Sequence, residues 1–328
     1  MVLRTIAAND TMSVFGWVGM VCLVATCTLG AQTLSPFDFL RSTESARAAG
    51  LAGAFVAISG DASAQLYNPA TLPTVPEHAL SLTVTKHVLD INSGVAAYVG
   101  RIGSGAWGTS VAFTSFGSFT RTDAVGNAIG TFGASQVALN LSYANAIDSN
   151  AYYGVTLGYV QTTIDRRAAS ALQVSGGLFY DLPRIRTAIG LSVRYVGVNL
   201  ATTNGENATL PTDVRLGVSH RLRGLPLLVN VSLTRLAEQG QSLGERLRNF
   251  ALGGELSIGK SVQLRLGYDN GIRSTQSSAT ASFLTGFGIG AGVVLRTVTL
   301  DYTMTTLSAP ALVHRLSCTL LLDSFLGE

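Results

Sequence analysis

The stretch VALNLSY, residues 137–143, puts Val137, Leu139, Leu141 and Tyr143 on one face of an extended chain and Ala138, Asn140 and Ser142 on the other. VRLGVSH, residues 214–220, sets Val214, Leu216, Val218 and His220 against Arg215, Gly217 and Ser219. VQLRLGY, residues 262–268, repeats the pattern with Gln263, Arg265 and Gly267 on the polar face. A helix would space its apolar residues by three and four, so these are strands with one apolar face and one small, polar or charged face.

Outward from them, fourteen such segments follow, near 78–86, 92–102, 105–117, 136–146, 151–162, 170–182, 186–199, 211–222, 226–236, 248–258, 261–271, 282–295, 296–306 and 311–322. Each has about the length a tilted strand needs to cross a bilayer, and the number is even, as closure of a bacterial barrel requires. Short connections such as RIGSG, AIDSN, LRGLP and GKS alternate with long ones such as GSFTRTDAVGNAIGTFGAS, TTNGENATL, AEQGQSLGER and GIRSTQSSATA. A β-sandwich has no reason to alternate this way. An outer-membrane barrel does, with periplasmic turns at one end and surface loops at the other.

Charge parity agrees. Arg194, Arg215, Glu255, Arg265, Asp301 and Arg315 take the polar face, expected to be the lumen, whereas Tyr143, Tyr159, Tyr180, Tyr195 and Tyr268 take the apolar face near segment ends. Glu255 should oppose Arg265 across the turn near Lys260, and Asp301 should oppose Arg315 about Ser308. In the last segment Leu316, Cys318 and Leu320 should face lipid.

Of 328 residues, 36 are Gly, 12% are charged and 47% hydrophobic, with a formal net charge of +3. No apolar run after residue 31 is long enough for a membrane helix, and nothing in the charge pattern suits nucleic acid. Arg4 and the apolar run SVFGWVGMVCLVATCTLGA predict a secretory signal peptide over 1–31, with Met12 an alternative start. Thr26 spoils the lipoprotein box before Cys27. Removal of Cys22 and Cys27 would leave Cys318, so neither a disulfide nor a Cys-ligated metal is expected.

Residues 32–77 lack alternation and are rich in small residues, which suits a plug folded into the lumen of a barrel spanning 78–328. Asn68 can bond nearby backbone, and Pro69 bars it from helical geometry. The other reading is a loose periplasmic leader.

Ser45-Ala46-Arg47, the small run from Gly50 to Gly53, Asp61 and Asn68-Pro69-Ala70 resemble the N-terminal signature of FadL-like outer-membrane proteins, especially the PorV/PorQ branch associated with type IX secretion. Phe119, Thr122, Asp123, Gly126, Asn127, Gly130, Thr131 and Phe132, within the long connection 117–135, resemble the PorQ pattern. The acidic site is the single Asp61, where a run would be expected. The resemblance implies a non-enzymatic outer-membrane component of type IX secretion. Its partners would be a PorZ-like surface protein, the PorU/PorV attachment complex, and outer-membrane lipid and lipopolysaccharide. The alternative is a FadL-type transporter of hydrophobic small molecules.

No catalytic, cofactor or metal set emerges from the residues. Closure would bring His87 and His314 close, without a third ligand; His78 and His220 belong at the other end. The Gly-Lys-Ser at 259–261 lacks phosphate-loop spacing, and Asn207 and Asn230 match glycosylation triplets by chance.

Overall fold

The structure, a computed structural model, describes residues 35–42, 44–75, 78–201, 208–238, 242–275, 283–308 and 311–323. The expected signal peptide lies outside the described residues. Fourteen antiparallel strands close into one barrel, each bonded to its sequence neighbours and β14 to β1. They are β1 Ala79–Lys86, β2 Asn92–Ile102, β3 Gly105–Thr122, β4 Ala128–Ala146, β5 Ala151–Ile164, β6 Arg167–Leu182 and β7 Thr187–Ala201. The circuit continues with β8 Asp213–Arg221, β9 Leu227–Leu233, β10 Phe250–Ile258, β11 Val262–Asp269, β12 Phe287–Val294, β13 Val298–Ser308 and β14 Ala311–Leu321.

The alternation sets the facing. Leu139, Leu141 and Tyr143 are exposed on the outer wall, and Ala138 and Ser142 are buried inside. All six strand charges singled out above are buried on the lumen side. The turns 103–104, 147–150, 183–186, 222–226, 259–261 and 295–297 share one end with both barrel termini and the plug exit; the opposite end carries the connections 87–91, 123–127, 165–166, 202–212, 234–249 and 270–286. Outward aromatics ring each end: Phe250, Tyr268, Phe287 and Phe283 touch in sequence at the long-loop end, Tyr98 and Trp107 at the short-turn end. His78 Nδ1 meets Asp323 Oδ1 at 2.6 Å, tying the end of β14 to the start of β1. This imidazole holds the Asp323 carboxyl below its ordinary range.

Three details depart from the expected parity. The connection 117–135 is mostly strand, because β3 and β4 continue their pairing past a bulge at Ser115/Ser118 to Thr122 and Ala128. Tyr195 points into the lumen, where it is buried: a bulge in β7 opposite Ser175 gives it a φ of 60° and turns it to the same side as Arg194. Asp301 faces Ser317, and Arg315 faces Thr303, because β13 runs to Ser308 and pairs it with Ala311, which centres the hairpin beyond Ser308.

Candidate functional site

The segment Ser45 to Val75 fills the lumen. Its first element is α1, Ala46–Gly50, capped by the Ser45 side chain, which accepts from Ala48 N. The wall grips this helix at both backbone polarities: Ala46 N donates to Ser317 Oγ at 2.9 Å, and Thr303 Oγ1 donates to Ala46 O at 2.7 Å. Gly53 then turns the chain at φ +78°, a conformation that disfavours a side chain.

Arg47 stands at the centre of a buried ionic chain. Its Nε and Nη2 both reach Glu255 at 2.8 Å, and its Nη1 reaches Asp61 at 3.0 Å. Glu255 also takes Arg265 Nε at 2.7 Å, and Arg265 Nη1 passes to Asp301 Oδ1 at 2.6 Å. Burial alone would lower the Arg47 pKa; the two carboxylates outweigh it and hold the guanidinium charged. The expected Glu255–Arg265 pair is thus present, and Asp301 joins it in place of Arg315. Asp61 has a second task, accepting from Ser63 N and Oγ at 2.8 and 2.6 Å.

Asn68 Nδ2 donates to Val56 O within the plug and to Leu178 O on β6, each at 3.0 Å, while its Oδ1 accepts from Ala70 N at 3.1 Å. Pro69 opens the 3-10 turn Pro69–Thr74 that leads out to β1. The eight signature residues therefore serve capping, turning and locking within one body.

Sequence reasoning passed over the wall positions that make room for this body. A Cβ on Gly154 would stand 2.5 Å from the Pro69–Ala70 backbone, and one on Gly267 2.4 Å from Ala52 N. Both are lumen-facing strand glycines, a signal that inward parity combined with missing side chains carries in the sequence.

Glu44 was likewise passed over. Its backbone N donates to Tyr67 Oη at 2.9 Å, and its Oε2, shut off from water, has no hydrogen-bond partner. Burial pushes this carboxyl up to about 7, with Arg194 and Arg215 pulling the other way. Glu44 borders two small cavities. One, of about 20 Å³, is lined by Leu40, Gln65, Ser110, Asn140, Gln173 and Tyr195; the other, also about 20 Å³, by Phe39, His87, Ser93 and Phe113. Each has room for about one water.

The histidines do not converge. His87 faces inward onto Ser93 Oγ at 2.9 Å, His314 outward onto Tyr302 Oη at 2.8 Å, and His220 pairs with Thr187 at 2.8 Å. Burial and Arg315 push the His87 imidazole down to about 4. Among the described residues no three His, Cys, Asp or Glu side chains are placed to hold a metal.

At the long-loop end, the β3–β4 hairpin carries the other candidate residues. Phe119 faces and stacks on Phe132 at 5.4 Å, and Thr120 faces Thr131. Asp123 closes the tip, accepting from Val125 N, Asn127 N and Asn127 Nδ2 at 2.8–3.0 Å, which holds its carboxyl below its ordinary range. Gly126 and Gly130 adopt φ of 93° and 145°. Arg121 Nη2 pins the hairpin to Asp165 on the next turn at 2.6 Å, while Val125, 85% exposed, and Ile129 project into the surroundings.

Solved structures share this fold. The toluene transporter TbuX of Ralstonia pickettii matches with a TM-score of 0.57 at 15% identity, covering 86% of this chain and 99% of that one. A FadL homologue from Pseudomonas aeruginosa matches at 0.54 and 13%, over 85% and 98% of the two chains. The CymD monoaromatic hydrocarbon channel matches at 0.57 and 13%, over 85% and 97%. The chain has a FadL-like outer-membrane barrel fold. The model of an uncharacterised protein family, UPF0164, matches residues 35–175, which span the plug and the first strands through most of β6. No curated protein matches.

Proposed function

We propose that this chain is a non-enzymatic, plugged outer-membrane barrel that anchors a partner at the cell surface through the β3–β4 hairpin. By its resemblance to the PorV/PorQ branch, the partner is a PorZ-like surface protein of the type IX attachment complex, with PorU and PorV beyond. The observation that carries the reading is the hairpin itself, a stiff, pinned projection whose tip exposes Val125 and Ile129 while the lumen behind it is filled. The fold supports outer-membrane placement, and the asymmetry of the connections supports a long-loop end at the cell surface.

The second reading is a transporter of hydrophobic small molecules, favoured by the likeness to a toluene transporter over nearly all of that chain. A lumen occupied by the plug and crossed by the Arg47–Glu255–Arg265–Asp301 chain favours the anchor, since apolar cargo needs an open apolar path.

One experiment separates them. Residues 122–129 are replaced by Asn-Gly, which closes a two-residue turn on the facing Arg121 and Gly130. The anchor reading expects a folded, inserted barrel that no longer co-purifies its surface partner from outer membranes. Retained partner together with reduced uptake of a hydrophobic solute gives the transporter reading.

A further inference from the structure

The connection between β9 and β10 contains a short helix, α2, Leu243–Arg248, closed by a capping box between Ser242 and Glu245. At about 100° per residue, Leu243 and Leu247 share one face, Arg246 and Arg248 flank it, and Glu245 points away. Leu243 is 78% exposed and Leu247 56%. Two leucines left bare on a well-capped helix need a cover.

Their surroundings say what kind. Two residues after α2, Phe250 begins the outward aromatic ring, followed by Tyr268, Phe287 and the exposed Phe283. Asn270 Nδ2 donates to Arg248 O at 2.7 Å, tying the helix end to the neighbouring connection above the same strands. The exposed leucine face and its two arginines thus stand one residue of chain away from the lipid-facing aromatics of β10–β12. This distribution, apolar below and cationic at the sides, is that of a helix lying in a membrane interface.

We propose that α2 seats on the outer leaflet, with Leu243 and Leu247 among acyl chains and Arg246 and Arg248 on anionic lipid phosphates. The inference rests on the barrel standing in a bilayer and is independent of the anchor reading.

The test uses the full chain refolded into vesicles, with Cys22, Cys27 and Cys318 replaced by Ser and a nitroxide placed through Leu247→Cys. Leu89→Cys, on the 86% exposed residue of the β1–β2 turn, serves as the aqueous control. The label at 247 is expected to collide more with oxygen than with a water-soluble nickel chelate, and the one at 89 the reverse. Adding phosphatidylglycerol to phosphatidylcholine vesicles should deepen the 247 label, and Arg246→Glu with Arg248→Glu should abolish that response. Equal nickel access at 247 and 89 overturns the proposal. So does spin–spin broadening at 247 that disappears on dilution with unlabelled protein, which would give the face to a second copy.

Discussion

Glu255 shows what one side chain can hold in place. It receives both forks of Arg47 from the plug and Arg265 from the wall, so its loss leaves Arg47 with Asp61 alone and Arg265 with Asp301 alone. Stripping a buried charge of every partner costs about 3–5 kcal/mol, and weakening two pairs at once costs a fraction of that. Glu255→Ala should therefore loosen the plug, seen as faster proteolysis or hydrogen exchange over 45–75 while the strands stay protected. Asp61→Asn should act more mildly, because Arg47 keeps Glu255. Glu44 supplies a pH dependence. Its carboxyl is raised from 4.5 to about 7, so its contribution to plug stability is full below 4.5 and lost as pH rises through 7. Plug exchange, divided by the intrinsic amide rate at each pH, should quicken across that window in the native chain and stay flat in Glu44→Gln. A native profile without slope between 4.5 and 7 would refute the assignment. The Glu255–Arg265 contact was legible because turn symmetry and parity sufficed. The place of Glu44 was not, since no periodicity governs a segment that folds against a wall.

At the scale of elements, strands were legible almost to their ends, because side-chain alternation is a local property with a period of two. What escaped were the one-residue insertion of the β7 bulge, which brings Tyr195 inside, and the later centre of the β13–β14 hairpin, which sets Arg315 opposite Thr303 in place of Asp301. A single insertion reverses parity without altering composition. The facing makes a graded prediction on β14. Leu316 lies mid-strand on the lipid side, so Leu316→Arg should cost roughly 2–4 kcal/mol of barrel stability, whereas Leu320→Arg, near the strand end, should cost roughly 0–1 kcal/mol. Denaturant unfolding in micelles measures both, and equal losses would contradict the assigned depth. Wall glycines form a second set. Gly154→Val places carbon atoms where Pro69 and Ala70 already stand, so the strands should form and the plug should be expelled.

For the whole molecule, the strand circuit closes through backbone pairing that owes nothing to the plug, including the seam between β1 and β14. The plug in turn takes its shape from contacts with that wall. A chain lacking 44–75 should therefore still fold into a heat-resistant barrel, but one whose lumen charges meet water. Arg194, Arg215, Arg265 and Arg315 then face Asp213, Glu255, Asp269 and Asp301, four cations against four carboxylates. Reconstituted in planar bilayers, the native chain should be electrically silent, since the plug is bonded to the wall through Arg47 and Asn68 and packs into the space left by Gly154 and Gly267. The plug-deleted chain should open a steady conductance with little charge preference, and Arg194→Ala with Arg315→Ala should make it prefer cations. A native chain that already conducts would show that the plug does not seal the barrel, and the filled-lumen argument behind the anchor reading would fall with it.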